Sequence, residues 1–123
     1  MRKRQWTIAF QTGIVEKNRK EAFIMKNEFL LYVFYTMKPG CRRAFLDWVR
    51  TEGILDAIRG ENGCLRYEYF CAEEDENCLL LVEKWSSAEA QKLHMTQPHM
   101  LRLLAAKDTY IAETRLGRLH EEG

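Results

Sequence analysis

The chain has 123 residues, of which 46% are hydrophobic and 30% charged, with a formal net charge of +1; these values fit one ordinary globular domain. No apolar run reaches the roughly 18 residues needed to span a bilayer, so no membrane-spanning helix is predicted. Residues 1–24 are basic and the remainder is mildly acidic, which argues against nucleic acid as the main partner.

Residues 1–24 do not fit the pattern of the rest of the chain. They contain no small-residue cleavage site, so we predict that the protein is not exported and is cytoplasmic. Met25 would be a natural start, because Lys20-Glu21-Ala22 can be encoded by a purine-rich, ribosome-binding-like sequence. We therefore predict an N-terminal extension over residues 1–24, hypothetically a non-native start, and one domain over residues 25–123.

The four cysteines do not form a recognisable metal motif. Cys41, Cys64, Cys71 and Cys78 lack C-x-x-C spacing and nearby paired histidines, so no metal site is predicted. Cys71 and Cys78 flank an acidic turn and could face each other across a hairpin. In a chain without an export signal, we expect all four thiols to be reduced.

The first element after the extension is a continuous apolar run. Residues 29–37 are apolar at nearly every position, which predicts a strand that is covered on both faces. Lys38-Pro39-Gly40 ends this strand with turn residues. The apolar positions then recur at helical spacing, with Gly53 as a predicted kink and Gly60 as a predicted stop.

Two further strands form a predicted hairpin. Residues 64–71 alternate, with Leu65 and Tyr67 among the side chains of one face. Residues 78–85 are again rich in leucine and valine, and the acidic segment between the two strands reads as a solvated turn. The pair is therefore expected to be antiparallel.

A capped helix and a last strand complete the pattern. Ser86-Ser87-Ala88-Glu89 has the form of a capping box with Ser86 as the N-cap. This helix is interrupted before Pro98, which suits the first turn of a shorter helix through Ala106. Residues 109–116 alternate as a strand. The order β-α-β-β-α-β is that of the ferredoxin-like α+β fold, with a four-stranded antiparallel sheet and helices on one face.

Such a sheet has a second face that its helices do not cover. Strands as apolar as residues 29–37 and 78–82 cannot leave this face in water, because an apolar patch of several hundred square ångströms marks an interface. We predict that two copies of the chain pair through their sheet faces as a dimeric α+β barrel. The alternative is a third layer formed by residues 1–24.

Four short motifs lie at the ends and junctions of these elements. They are Lys38-Pro39-Gly40, Glu61-Asn62-Gly63-Cys64-Leu65-Arg66-Tyr67, Glu83-Lys84-Trp85-Ser86-Ser87-Ala88-Glu89-Ala90 and His94-Met95-Thr96-Gln97-Pro98-His99. In order and separation they resemble the antibiotic-biosynthesis-monooxygenase superfamily, which includes quinol monooxygenases and autoinducer-2-processing proteins. The resemblance extends from about Asn27 to Leu119.

The resemblance implies an oxygenase that works without metal, flavin or haem. Because triplet dioxygen reacts poorly with closed-shell organic molecules, the substrate must first lose a proton and then supply an electron itself. Such a site needs an apolar pocket, a base, and donors that stabilise the anion. We therefore expect no cofactor, a homodimer, and a small quinol-like or polyketide-like aromatic substrate.

The resemblance also suggests the site residues. His94 lies where the family has its recurrent histidine, and it is the predicted catalytic base. The predicted substrate-binding residues are Trp85, Tyr67, Tyr32, His99, Phe34 and Met95. Each has a simpler interpretation as a core, capping or strand residue, and Glu83 is predicted to pair with a basic side chain or a group of the partner chain.

Two other functions remain open. The same dimer could hold a small metabolite or signalling molecule without any catalysis. Haem degradation is disfavoured, because that branch of the family has an asparagine on the first strand and residues 30–36 contain none.

Overall fold

A computed structural model of the protein describes residues 27–120, so the predictions for residues 1–24 lie outside the described residues. The elements, in chain order, are β1 (Phe29–Met37), α1 (Arg42–Thr51), α2 (Ile54–Arg59), β2 (Cys64–Cys71), β3 (Cys78–Trp85), α3 (Ala88–His94), α4 (Pro98–Tyr110) and β4 (Ile111–Arg118). None of these helices has the length and apolar character needed to cross a membrane.

The strands form one antiparallel sheet in the order β2-β3-β1-β4. β1 and β3 pair at the centre of the sheet, where Leu31 lies opposite Glu83. The helical connections α1–α2 and α3–α4 each join strands that are separated by one other strand. This arrangement is the ferredoxin-like fold, and the prediction of the fold class is confirmed.

The helices cover one face of the sheet, here called the covered face. Leu31, Val33 and Tyr35 point into it from alternate positions of β1. Phe45 of α1 is fully buried at the centre of this core. Its ring has four aromatic neighbours at centroid distances of 5.7 to 6.4 Å, which are Tyr35, Trp48, Tyr69 and Tyr110.

The other face, here called the open face, carries no helix within the described residues. Its centre is apolar, because Tyr32 and Phe34 of β1 and Leu80 and Val82 of β3 occupy the outward positions. The ring of Tyr32 lies so close across Gly117 of β4 that an added Cβ would collide with it. This is the face that was predicted to need a partner.

The cap of α3 lies one residue later than predicted. Ser87 has an extended backbone, and its Oγ accepts a hydrogen bond from Ala90 N at 3.0 Å. Ser86 instead donates its own backbone N–H to Gly63 O at 2.8 Å, which ties it to the start of β2. Ser86 is therefore held by the sheet and does not cap the helix.

The last helix is longer than predicted. α4 continues past Ala106 to Tyr110, whose ring packs against Phe45 and Trp48 of α1. β4 consequently begins at Ile111. Packing between distant elements thus sets this boundary, because a helical turn that buries an aromatic ring is stabilised by more than its local propensity.

Candidate active site

A cavity of about 160 Å³ lies between the covered face of the sheet and the helices α3 and α4. The apolar part of its wall consists of Leu31, Val33, Met95, Met100, Leu103, Leu104, Ile111 and Leu116. The polar part consists of Tyr35, Tyr67, Glu83, Gln91, His94, Lys107 and Thr114. An apolar cavity with a few polar side chains is the usual form of a small-molecule site.

His94, the last residue of α3, is 1% exposed and lines this cavity. Its Nδ1 lies 3.0 Å from Glu61 Oε2. An ionised carboxylate only accepts hydrogen bonds, so we assign the proton to Nδ1 and the free lone pair to Nε2. Nε2 is buried without a hydrogen-bond partner in the described chain. Burial lowers the pKa of His94 and outweighs the opposing effect of Glu61, so the ring is neutral near pH 7.

A glycine lets the turn after α2 bring Glu61 to His94. Gly63 has a φ of 95°, which favours glycine over other residues. A Cβ at Gly63 would come within 2.8 Å of Ser86 Oγ and of Ala90 Cβ. The turn can therefore pack closely against the start of α3 only because this side chain is missing.

Glu61 joins two histidines. His99 Nε2 hydrogen-bonds to Glu61 Oε2, the same atom that receives the bond from His94 Nδ1. His99 lies in the first turn of α4, is half-buried, and is absent from the cavity wall. The path from His94 through Glu61 to His99 thus leads from the cavity toward the surface. Neither this cluster nor any other group within residues 27–120 has the arrangement of a metal site.

Trp85 and Glu83 of β3 lie beside His94. The Trp85 ring stacks on the His94 ring at a centroid distance of 4.5 Å, and its Nε1 donates to Glu83 Oε1 at 2.9 Å. Glu83 is 5% exposed and lines the cavity. Within the described chain it is therefore bonded to an indole and not to a basic side chain, and its pairing with a group of the partner chain stays a prediction. Burial raises the pKa of Glu83 to about 7, and the Glu61 charge adds to this shift, while the indole bond opposes it.

Tyr67 lies next to both Glu83 and His94. It is opposite Glu83 in the pairing of β2 with β3, and its ring centroid is 5.8 Å from that of His94. Burial raises the pKa of Tyr67 well above its ordinary value. Its hydroxyl therefore stays protonated and can donate a hydrogen bond to an oxygen atom of a ligand.

The predicted site residues fall into three places. Those on the cavity wall are His94, Tyr67 and Met95. Trp85 and His99 lie behind the wall. Trp85 packs against His94, and His99 bonds to Glu61, which in turn bonds to His94. Those on the open face are Tyr32 and Phe34, which do not line the cavity.

Sequence reasoning gave two residues of this site, Glu83 and Glu61, no catalytic or binding role. Glu83 had a signal, because it interrupts the inward-facing series of Leu79 and Leu81 on β3, and an acid at a core position needs an explanation. Glu61 begins one of the motifs that carry the resemblance, but it lies in a polar turn where an acidic residue is ordinary, and nothing local linked it to His94.

The same part of the chain matches known proteins. A family model for antibiotic biosynthesis monooxygenase matches residues 29–106. The Bacillus subtilis (strain 168) protein named "Putative monooxygenase YcnE" is 28% identical over 76 residues, which are 62% of this chain and 78% of that protein. The crystal structure of PA3566 from Pseudomonas aeruginosa is similar with a TM-score of 0.70 at 22% identity, over 79% of this chain and 96% of that one. A structure named "Putative antibiotic biosynthesis monooxygenase" from Nitrosomonas europaea has a TM-score of 0.70 at 17% identity, over 79% and 95% of the two chains.

At these identities the two solved structures support the fold alone. The family match is stronger evidence, because it spans more than half of the chain, from β1 into α4. It includes both His94 and the carboxylates Glu61 and Glu83 that surround it. The chain therefore belongs to the antibiotic biosynthesis monooxygenase family.

Proposed function

We propose that the protein is a monooxygenase that uses no metal, flavin or haem and oxidises a small quinol-like or polyketide-like aromatic molecule. The observation that supports this most is the neutral, buried His94, which lines an apolar cavity and whose Nε2 has no hydrogen-bond partner among the described residues. An unprotonated imidazole nitrogen in this position can remove a phenolic proton from a bound substrate. The lack of a cofactor is supported by the family resemblance.

Proton removal prepares the substrate for reaction with dioxygen. The phenolate is electron-rich, so it can transfer one electron to dioxygen, and the two radicals then combine to form a carbon–oxygen bond. The resulting peroxide loses water and leaves a carbonyl, so one oxygen atom enters the product and the other leaves as water. An apolar wall favours these steps because it excludes water and strengthens hydrogen bonds to the developing charge.

The side chains around the cavity have separate tasks in this proposal. Tyr67 donates a hydrogen bond to a substrate oxygen, and Met95 contacts the aromatic ring. Trp85 is a positioning residue, since it acts through its stacking on His94. His99 is a positioning residue as well, since it bonds to Glu61 and so helps to hold that carboxylate against His94.

A second copy of the chain covers the open face in this proposal. Tyr32 and Phe34 then belong to the subunit interface and not to the cavity. The support is the apolar centre of the open face, beside which the Arg115 guanidinium lies over the Phe34 ring at 4.9 Å. Identical faces can pair about a twofold axis. Sedimentation equilibrium is expected to give twice the mass of the chain, and a monomer at every concentration would contradict the dimer.

A binding module without catalysis is the second candidate. The cavity wall is mainly apolar, and it would hold a small metabolite whether or not His94 removed a proton. A ligand that raises the melting temperature without oxygen uptake would favour this function. A haem titration is expected to give no Soret band.

Oxygen consumption with a panel of hydroquinones and no added cofactor tests the monooxygenase directly. We expect uptake by the wild type and a loss of roughly 10²- to 10⁴-fold in His94→Ala, because a general base is removed. His120→Ala, a histidine substitution outside the cavity wall, is the matched control and should keep full activity. Circular dichroism verifies that each variant folds.

Two outcomes of this experiment would contradict the proposal in different ways. Unchanged turnover in a folded His94→Ala protein would remove His94 from the mechanism and leave the activity itself standing. No oxygen uptake by the wild type with any hydroquinone would overturn the monooxygenase function and favour the binding module.

A further inference from the structure

Glu83 is the acidic side chain of the cavity wall. It occupies the centre of the covered face, between Leu31 of β1 and Tyr67 of β2 in the sheet register. Both neighbours are buried, and so is Glu83 itself. A carboxyl group at such a position loses most of its hydration, which costs folding free energy unless something else stabilises it.

One of the two carboxyl oxygens of Glu83 accepts a hydrogen bond from the protein. Trp85 Nε1 donates to Oε1 at 2.9 Å, whereas Oε2 has no hydrogen-bond partner among the described residues. Because Glu83 lines the cavity, Oε2 is the atom that a bound molecule can reach. The carboxyl is therefore oriented by one fixed bond and free to exchange a proton through its other oxygen.

The same indole orients His94. Trp85 stacks on the imidazole and bonds to Glu83, so one rigid, fully buried side chain holds two ionisable groups against one cavity. The two groups have different partners. His94 Nδ1 donates a hydrogen bond to the Glu61 carboxylate. Glu83, in contrast, has no cation within ion-pair distance in the part of the chain described here.

The ionisable groups that face Glu83 come from every element around it. They are Tyr35 of β1, Cys64, Tyr67 and Tyr69 of β2, Glu61 of the preceding turn, His94 of α3 and, across the cavity, Lys107 of α4. Burial and the Glu61 charge favour the protonated carboxyl and raise the pKa of Glu83 to about 7. A large fraction of the molecules therefore carries a proton on Glu83 at neutral pH.

We propose that Glu83 is a second catalytic residue, which protonates the peroxide that forms on the substrate. This inference rests on the proposed monooxygenase function. A base and an acid on one wall suit a reaction that first removes a proton and later delivers one. His94 then removes the proton of the phenolic hydroxyl, and Glu83 delivers a proton to an oxygen atom derived from dioxygen.

The protons and electrons balance over the cycle. His94 Nε2 takes the phenolic proton, and the phenolate supplies two electrons in one-electron steps as dioxygen bonds to an adjacent ring carbon that carries hydrogen. Glu83 protonates the distal peroxide oxygen. Its carboxylate then removes the hydrogen of that carbon as a proton, the C=O bond forms, and the O–O bond breaks. The departing hydroxide takes the proton from His94 and leaves as water, which restores both residues.

The pH dependence of oxygen uptake tests this assignment. In the wild type, kcat should rise as His94 becomes neutral and fall as pH increases through about 7, where Glu83 loses its proton. Glu83→Gln keeps the shape and the bond from Trp85 but cannot deliver a proton. We expect kcat to fall by about 10²-fold or more in this variant, with KM little changed and the decline above neutral pH absent.

Glu74→Gln, the same change in an exposed turn, is the matched control and should behave as the wild type. Glu83→Asp retains a carboxyl, so its kcat should still fall above neutral pH. This variant tests the role of Glu83 if Glu83→Gln does not fold. An unchanged kcat and pH profile in Glu83→Gln would overturn the role of Glu83 while the monooxygenase function survives. No oxygen uptake by the wild type would overturn both.

Discussion

The two faces of the sheet are built from the same strands and carry different kinds of side chain. On β3, Leu81 and Glu83 point to the covered face, while Leu80 and Val82 point to the open face. The covered face buries the carboxyl of Glu83, and the centre of the open face presents mainly apolar side chains. Because side chains alternate along a strand, neighbours in sequence can contribute separately to chemistry and to association.

The comparison also shows where folding free energy is gained and where it is opposed. On the covered face, burial of Glu83 and His94 opposes folding, because each loses hydration. The aromatic cluster around Phe45 lies on the same face and offsets that cost through buried apolar area. On the open face, the apolar area contributes to stability only when another surface covers it.

Truncation of the aromatic cluster should have the largest effect on stability. Phe45→Ala removes a fully buried ring with four aromatic neighbours, so we expect a loss of about 3–5 kcal/mol in the free energy of unfolding. Urea denaturation measures it. Phe70→Ala, which truncates a partly exposed ring of β2, should lose far less. Equal losses in the two variants would contradict the distinction between the faces.

The buried carboxyl should make stability depend on pH. The folded pKa of Glu83 is about 7 and lies above its ordinary value of 4.5. Between these values the folded protein keeps a proton that the unfolded chain has released, so stability falls as pH rises through this window. The loss is about 3 kcal/mol in all.

Unfolding of the wild type and of Glu83→Gln from pH 5 to pH 8 measures this contribution. The difference between the two proteins isolates Glu83, because both retain the opposite dependence of His94, whose lowered pKa favours folding as pH rises. As pH increases, the free energy of unfolding of the wild type should fall relative to that of Glu83→Gln. A difference that stays constant would mean that Glu83 is not buried as a protonated acid.

Truncation on the open face should act on association more than on folding. Phe34→Ala removes an apolar ring from the centre of that face, so we expect the Kd of the dimer to rise about tenfold, or 1.4 kcal/mol. Sedimentation over a dilution series measures the Kd. Oxygen uptake should persist, since Phe34 does not line the cavity. A lower activity with unchanged association would instead place Phe34 in the site.

Much of the fold could be predicted because its signals are local. Lys38-Pro39-Gly40 ends β1, and Gly53, with a φ of 76°, separates α1 from α2 as expected. The prediction that Leu65 shares the face of Tyr67 is wrong. The pairing of β2 with β3 shifts register at the start of β2, and Leu65 is 52% exposed. Such a bulge depends on the partner strand, which the local alternation does not record.

The candidate site was predictable only where a motif pointed to it. His94 stood in such a motif, whereas Tyr32 and Phe34 could not be told apart from their inward-facing neighbours. The cause is the composition of β1, which is apolar at nearly every position. A strand without alternation does not reveal which of its faces the helices will cover.

By itself, the sequence determined the elements and their order, because periodicity and turn residues act over a few positions, and the resemblance of its motifs indicated the family. Only the tertiary structure decided that Glu61, 33 positions before His94 in the chain, would orient its imidazole. It likewise decided that Glu83 would share the cavity wall with that ring. Hydrogen-bond geometry and pKa depend on burial and on neighbours from distant parts of the chain, and those neighbours exist only once the sheet and helices have packed.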